Sequence, residues 1–352
     1  MPGEGRNARA VGASHPAPST LRVSTSPARS AGEVLTELDN AQRVYRAGGS
    51  LFGRHRLVQA VAGVSFALQR GRTLGLVGES GCGKSTTGRL ALGLERPDAG
   101  TVAFDGTPMP PRGSSAWRRV RARMQLVFQD PLGALDRRLP IGTQVTEPLV
   151  VHAIGTSEER AARAADLLRA VGLRPDQAAR YPHELSGGQR QRAVIARALA
   201  TQPDLLVCDE PVSALDVSIQ AQVVNLLIDL QAQFGLAMLF ISHDLKLVRL
   251  IAHEVAVMYL GLIVEQGEPE ALFAAPAHPY TQALLAAVPD RRRRGPRKLL
   301  AGEPPNPSER PTGCAFHPRC PVAIVRCRSE SPALLRRADG RLVACHLARG
   351  AA

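Results

Sequence analysis

Eight consecutive residues, Gly78-Glu79-Ser80-Gly81-Cys82-Gly83-Lys84-Ser85, set glycines, one lysine and one hydroxyl at the spacing G-x-x-x-x-G-K-[ST]. Glycines let a backbone turn so that successive N–H groups converge on an anion, and a helix beginning there adds the positive end of its dipole. Lys84 supplies a point charge and Ser85 a hydroxyl able to ligate magnesium. Lysine occurs in this chain only at positions 84, 246 and 298, the remaining basic residues being arginine. A compact ammonium therefore stands where a polyphosphate would need one. The apolar run Thr73-Leu74-Gly75-Leu76-Val77 predicts a buried strand leading into the loop, and Thr86 to Leu94 a helix leading out of it. The chemistry implied is binding of the β- and γ-phosphates of a magnesium nucleotide.

Three further strand ends carry groups that could act on such a ligand. Asp204-Leu205-Leu206-Val207-Cys208 predicts a strand inside a parallel sheet that delivers Asp209 and Glu210 at its C-terminal edge, where open α/β sheets bind ligands. Asp209 is placed to hold magnesium with Ser85, and Glu210 to polarise an attacking water. Gln129 follows the apolar Leu126-Val127-Phe128, and its amide could reach the metal or the water. His243 ends Leu239-Phe240-Ile241-Ser242, and its imidazole could donate to a γ-phosphate. A carboxylate pair at a strand end is by itself an ordinary solvated terminus; downstream of a phosphate loop it is a candidate active site. In Leu185-Ser186-Gly187-Gly188-Gln189, Ser186 is an N-cap and the paired glycines open a second helix, a second candidate anion site.

In this order these motifs resemble the ATP-binding cassette (ABC) ATPases over about three quarters of the chain. The resemblance implies an α/β fold: a P-loop NTPase, the ABC-type nucleotide-binding domain, with a RecA-like core, an antiparallel β subdomain and an α-helical subdomain. It implies ATP and Mg²⁺ as cofactors, with Gly78 to Thr86 on the phosphates, Ser85, Gln129 and Asp209 on the metal, and Glu210, His243 and Gln129 as the catalytic group. It also implies that Ser186, Gly187 and Gly188 touch the γ-phosphate bound by a second, head-to-tail subunit, with Gln189 and Asp216 of the Ser213-Ala214-Leu215-Asp216 loop among the nucleotide-binding residues. Tyr45 matches the aromatic that stacks on adenine, ahead of an insertion from Ala47 to Leu57.

Positioning those residues takes most of the chain. Residues 1–31 are rich in Ser, Pro, Ala and Arg without periodicity and are expected to be disordered, with no apolar core region of a secretory signal. Residues 32–270 are assigned to the nucleotide-binding domain, with a helical subdomain at about 132–200 in which Glu158 to Val171 is an amphipathic candidate. Val255 to Tyr259 and Leu262 to Glu265 are expected to complete the sheet. A net charge of +13 would suit nucleic acid or an anionic membrane, but aromatics at 4% are too sparse for base-stacking platforms, and nucleic acid is not an expected partner. No uninterrupted apolar run reaches the length of a bilayer span, Val223 to Ile241 being broken by Asn225, Asp229, Gln231 and Gln233.

Residues 271–352 form a C-terminal extension holding Cys314, Cys320, Cys327 and Cys345, four of the 6 cysteines. Four thiols in so short a segment suit a tetrahedral metal such as zinc or an iron-sulfur cluster, or else buried structural cysteines; the spacing is not the paired C-x-x-C of common zinc sites. His278-Pro279-Tyr280-Thr281 and Gly313-Cys314-Ala315-Phe316-His317-Pro318-Arg319-Cys320-Pro321 resemble the tail of oligopeptide and dipeptide permease ATPases, a resemblance that implies a [4Fe-4S] site. Cys82 with Gly88-Arg89 points to the second of the two ATPase chains such importers use. The implied partners are another ABC ATPase subunit, identical or not, two permease subunits and, indirectly, an extracellular solute-binding protein. The expected location is the cytoplasmic face of the inner membrane, reached only through the permease. The solute expected is a di- or oligopeptide; nickel or another small solute, or a soluble nucleic-acid-associated role, are the alternatives.

Overall fold

A computed structural model describes residues 32–47, 56–287, 302–303 and 305–348. The segment 1–31, expected to be disordered, lies outside the described residues, as do positions 48–55 of the insertion after Tyr45.

Among the described residues, twelve strands follow in chain order: β1 Val34–Ala47, β2 Arg56–Gln69, β3 Thr73–Val77, β4 Ala99–Phe104, β5 Thr107–Pro108, β6 Met124–Val127, β7 Leu205–Asp209, β8 Ala237–Ser242, β9 Glu254–Tyr259, β10 Leu262–Gly267, β11 Leu335–Arg336 and β12 Leu342–Val343. They build two sheets, a small antiparallel one in the order β2-β1-β4-β5 and a large one in the order β11-β12-β10-β9-β3-β8-β7-β6. In the large sheet β6, β7, β8, β3 and β9 are mutually parallel, with helices as the crossovers. Their sequences are continuous apolar runs because both faces are covered. Leu205, Val207, Leu239 and Ile241 point to a core shared with Leu35, Leu38, Phe66 and Phe104 of the small sheet. Leu206, Cys208, Met238 and Phe240, one residue out of phase, point to the opposite core with Val194, Val223 and Leu227 of the helices.

The seam between the sheets is closed by charge. Arg70 donates to Asp105 and Asp204, and Arg123 donates to the same two carboxylates, so two guanidiniums and two carboxylates alternate where β2, β4, β6 and β7 meet. Between β6 and β7 lies a helical lobe of Ile141–Val151, Ser157–Ala170 and Gly187–Ala198. Ser157–Ala170 starts on a capping box, Thr156 accepting from the Glu159 N–H while the Glu159 carboxylate accepts from the Thr156 N–H. It buries Ala164, Leu167 and Leu168, the 3.6-residue stripe expected of it.

Two expectations need correction. The helix after the phosphate loop runs Lys84–Ala91 rather than Thr86 to Leu94; Gly83 takes a left-handed conformation that lets it start earlier, and the backbone turns at Gly93 with φ +63°. Nor do β9 and β10 complete the sheet. The C-terminal extension returns to add β12 beside β10, with Glu265 opposite Val343, and β11 outside that. The return is anchored on Glu265, 0% exposed, which accepts from the Ala277 and His278 N–H groups at 2.9 Å each and from Arg341 Nη1 at 3.2 Å. A buried carboxylate is stable only with such a full set of partners. Two of those donors lie just ahead of the Pro279–Ala287 helix, so the extension is bonded into the sheet rather than tethered to it.

Candidate active site

Parallel register brings the sequence-predicted groups to one edge. Val77 lies opposite Ser242, Ile241 opposite Asp209, and Cys208 opposite Val127. Gly78, His243 and Glu210, one position on, and Gln129, two positions on, therefore leave the sheet side by side at its C-terminal rim.

Gly83 must be glycine: its φ is +106°, and a Cβ there would lie 2.1 Å from the Ala60 carbonyl oxygen. No side chain caps the helix that starts at Lys84, which leaves its first-turn N–H groups facing the loop. Lys84 is 5% exposed, and its Nζ donates to the carbonyls of Gly78 at 2.8 Å and Glu79 at 3.0 Å, so the ammonium is folded across the loop's mouth. Ser85 Oγ donates to Asp209 Oδ1 at 2.9 Å, pairing the two groups expected to share magnesium. Burial pushes the Asp209 carboxyl above its ordinary range; the Ser85 hydrogen bond works against this and the charge of Glu210 adds to it.

Glu210 sits at φ +47°, a left-handed conformation that costs a non-glycine residue energy. Its backbone N–H donates to the Ile241 carbonyl at 2.9 Å, and its carboxylate turns to the rim. There Oε2 accepts from Gln129 Nε2 at 3.1 Å and lies 3.4 Å from His243 Nδ1. His243 is exposed, while the Glu210 side chain is mostly covered. A single carboxylate oxygen thus meets both other groups of the expected catalytic set.

Tyr45, near the end of β1, donates its hydroxyl to the Glu95 carboxylate, which also accepts from Arg43 Nε at 3.0 Å. The Arg43 guanidinium lies 5.1 Å from the ring centroid, so one face of the half-buried ring carries a cation. Ser186 caps the helix Gly187–Ala198, its Oγ accepting from the Gln189 N–H while Gln189 Oε1 accepts from the Ser186 N–H. Behind that turn, Cβ atoms added at Gly187 and Gly188 would meet Leu215 and Ile219. Asp216 precedes the helix Val217–Phe234 without capping it through its side chain. Among the described residues, no hydrogen bond links Ser186, Gly187, Gly188 or Gln189 to the loop at 78–85 of the same chain.

In the extension, all four cysteines are free thiols. Burial raises the Cys314 thiol, and Cys327, Cys320 and Cys345 each push it further up, which places the four in one neighbourhood; the Cys314 N–H also donates to the Cys327 carbonyl at 2.8 Å. Among the described residues, however, no three His, Cys, Asp or Glu side chains stand at metal-ligand spacing. His317 and His346 are engaged with the carbonyls of Cys314 and Glu330.

Two contacts to the phosphate loop were not legible in the sequence. The Glu79 N–H donates to Tyr280 Oη at 2.9 Å, and the Glu79 carboxylate is held by both terminal nitrogens of Arg319 at 2.8 and 3.0 Å. The tail motifs containing Tyr280 and Arg319 were visible, but nothing local ties a residue to another 240 positions away.

A glycine-rich loop running into a helix, two adjacent carboxylates at a strand end, and a separate Ser186-capped helix opening on two glycines, on this sheet order, are the arrangement of an ABC ATPase. Accordingly, residues 61–213 match the ABC transporter family and residues 264–327 match the family described as oligopeptide/dipeptide transporter, C-terminal region. The chain is 48% identical over 321 residues to the oligopeptide transport ATP-binding protein AppF of Bacillus subtilis, covering 90% of this chain and 98% of that one. It is 49% identical over 317 residues to the di/tripeptide transport ATP-binding protein DppF of Pseudomonas aeruginosa, covering 89% and 97%. Among solved structures, the dimeric post-hydrolysis state of the ATP-binding cassette MJ0796 bound to ADP and Pi is similar, with a TM-score of 0.60 and 27% identity over 67% of this chain and 99% of that one. The chain belongs to the ATP-binding proteins of the oligopeptide/dipeptide ABC transporter family, and it binds and hydrolyses ATP. No described helix is long and apolar enough to cross a membrane.

Proposed function

We propose that this chain is the ATPase of a bacterial importer of di- and oligopeptides. ATP closes a pair of nucleotide-binding domains, the helical lobe moves a separate permease to its other state, and hydrolysis reopens the pair. The observation that carries this reading is the division of the site: Lys84, Ser85, Asp209, Glu210, Gln129 and His243 gather on one rim, while Ser186 to Gln189 open a helix not bonded to it. A helix N-terminus opening on two half-buried glycines is an anion site in need of an anion, and a head-to-tail partner supplies the γ-phosphate. The names of the relatives at 48% and 49% identity support peptides as the solute.

In this reading Gly78 to Thr86 cradle the phosphates, Tyr45 stacks on adenine, and Ser85, Asp209 and Gln129 surround Mg²⁺. Glu210 is the base, His243 contacts the γ-phosphate, and Ser186 to Gln189 with Asp216 serve the opposite subunit's nucleotide. Residues 32–270 form the nucleotide-binding domain, with 132–200 its helical subdomain, and 271–352 the extension. The partners are a second ATPase subunit, two permease subunits and, through them, a solute-binding protein, at the cytoplasmic face of the membrane. Deleting the gene should abolish uptake of a radiolabelled tripeptide and leave nickel uptake unchanged; the reverse pattern would move the chain to the small-solute importers.

For Cys314, Cys320, Cys327 and Cys345 we propose ligation of a [4Fe-4S] cluster. The support is the donor set, four free thiols of which three lie inside the matched C-terminal family region and Cys345 beyond it; no three of them stand at ligand spacing among the described residues, so binding would have to draw them together. Iron and acid-labile sulfide analysis of anaerobically purified protein tests it, and protein free of both would leave the thiols a structural role.

A further inference from the structure

A carboxylate inside a phosphate loop is an electrostatic liability, because Glu79 stands one residue into the segment whose N–H groups would receive a polyphosphate. The fold answers it with Arg319, whose side chain is 6% exposed and whose two terminal nitrogens clasp both Glu79 oxygens. A planar guanidinium held in this fork is the strong geometry for pairing a carboxylate, and its low exposure limits screening by water. Arg319 is itself held in place. It lies 5.9 Å from the Tyr259 ring centroid, and Tyr259 packs on Tyr280 and Phe316 with centroids 4.6 and 5.3 Å apart. Tyr280, 0% exposed, accepts the Glu79 N–H at 2.9 Å, fixing the backbone of the residue whose carboxylate Arg319 holds. Both anchors come from the C-terminal extension, and a cavity of about 190 Å³ between loop and extension is lined by Glu79, Cys82, Tyr259, Glu303 and Asn306.

We propose that Arg319 is a positioning residue for ATP: it neutralises Glu79 and holds the phosphate loop open to the triphosphate, so that the C-terminal extension sets nucleotide affinity. The inference rests on residues 78–85 being the loop that receives ATP. With Arg319 gone, the Glu79 carboxylate would face the phosphates unpaired, and binding would weaken through repulsion. Removing the carboxylate as well would remove the repulsion, which a merely structural role for Arg319 would not produce.

The test is a fluorescent-ATP titration and steady-state kinetics on the full chain, for Arg319→Gln, Glu79→Gln, the double variant and Lys84→Ala, with circular dichroism confirming the fold. Arg319→Gln should raise Kd and KM for ATP roughly tenfold, about the worth of one charge-assisted pair, with kcat at saturating ATP within about twofold. Adding Glu79→Gln should bring Kd back to within about threefold of the parent. An Arg319→Gln protein that binds ATP as the parent does, or a double variant as weak as the single, overturns the proposal. Should Arg319→Gln fail to fold, Glu79→Gln alone decides, since it should bind ATP at least as tightly as the parent and weaker binding refutes the charge argument. Unchanged ATP affinity in Lys84→Ala would instead fault the loop assignment.

Discussion

Replacing Glu210 with glutamine changes one oxygen to an amide nitrogen and removes one negative charge, and the surroundings tolerate both. Gln129 Nε2, 3.1 Å from Glu210 Oε2, can donate equally to an amide oxygen, and the backbone N–H bond to Ile241 does not involve the side chain. The nearby Asp209 carboxyl, raised by burial and pushed further by the Glu210 charge, would be eased toward its ionised form, so the metal side of the site is not weakened. What disappears is the group able to accept a proton from water, since an amide is no base at neutral pH. General-base assistance is worth on the order of 10² to 10⁴ in rate, which corresponds to about 2.7–5.4 kcal/mol in the barrier. ATP affinity should stay within about threefold of the parent because residues 78–85, proposed to hold the phosphates, are untouched. A phosphate-release assay at saturating ATP should show the fall in kcat, and size-exclusion chromatography with ATP should show a long-lived dimer, since closure no longer leads to hydrolysis. Turnover within about threefold of the parent would refute the assignment of Glu210 as base.

Lys84→Ala removes the ammonium folded over the loop and should weaken ATP binding by on the order of tenfold to a hundredfold, read by the same nucleotide titration. Tyr45→Phe keeps the ring but loses its bond to Glu95 and should retain nucleotide affinity, whereas Tyr45→Ala should lose about tenfold; equal behaviour of the two variants would remove the adenine-stacking role. His278 is buried, with Nδ1 accepting from the Tyr280 N–H at 3.0 Å, and burial lowers its pKa from 6.5 to about 4. Because the unfolded chain then binds a proton that the folded chain refuses, stability is full above pH 6.5 and falls by about 3 kcal/mol as pH drops through that window to about 4. Urea unfolding of the parent and of His278→Gln across it should show a shallower pH slope in the variant.

The chemistry-bearing motifs were legible because each is local. Gly78 to Ser85, Asp209-Glu210 and Ser186 to Gln189 each fit on one turn or strand end, where residue type and spacing fix what the backbone can do. The apolar strands could be read as buried on both faces for the same reason, as could the capped helix Ser157–Ala170. The loop helix starts two residues ahead of Thr86 because Gly83 takes a left-handed conformation, at a point where the Ala60 carbonyl of β2 leaves no room for a side chain. Sequence alone also left the Glu210 carboxylate without partners; Gln129 and His243 reach it only because β6, β7 and β8 lie side by side in register.

What the chain declares by itself, then, is an ATP-binding loop with a candidate metal ligand and a candidate base, together with a second helix capped by Ser186 and opening on two glycines. Only tertiary structure decided that the C-terminal tail belongs to the same machine. Strands β11 and β12 extend the nucleotide sheet, Glu265 binds the tail through backbone and guanidinium, and Arg319 and Tyr280 grip the phosphate loop. The physical reason is separation along the chain: ion pairs and sheet edges join residues that hydrophobic pattern and motif spacing, which act over a few turns, leave unconnected.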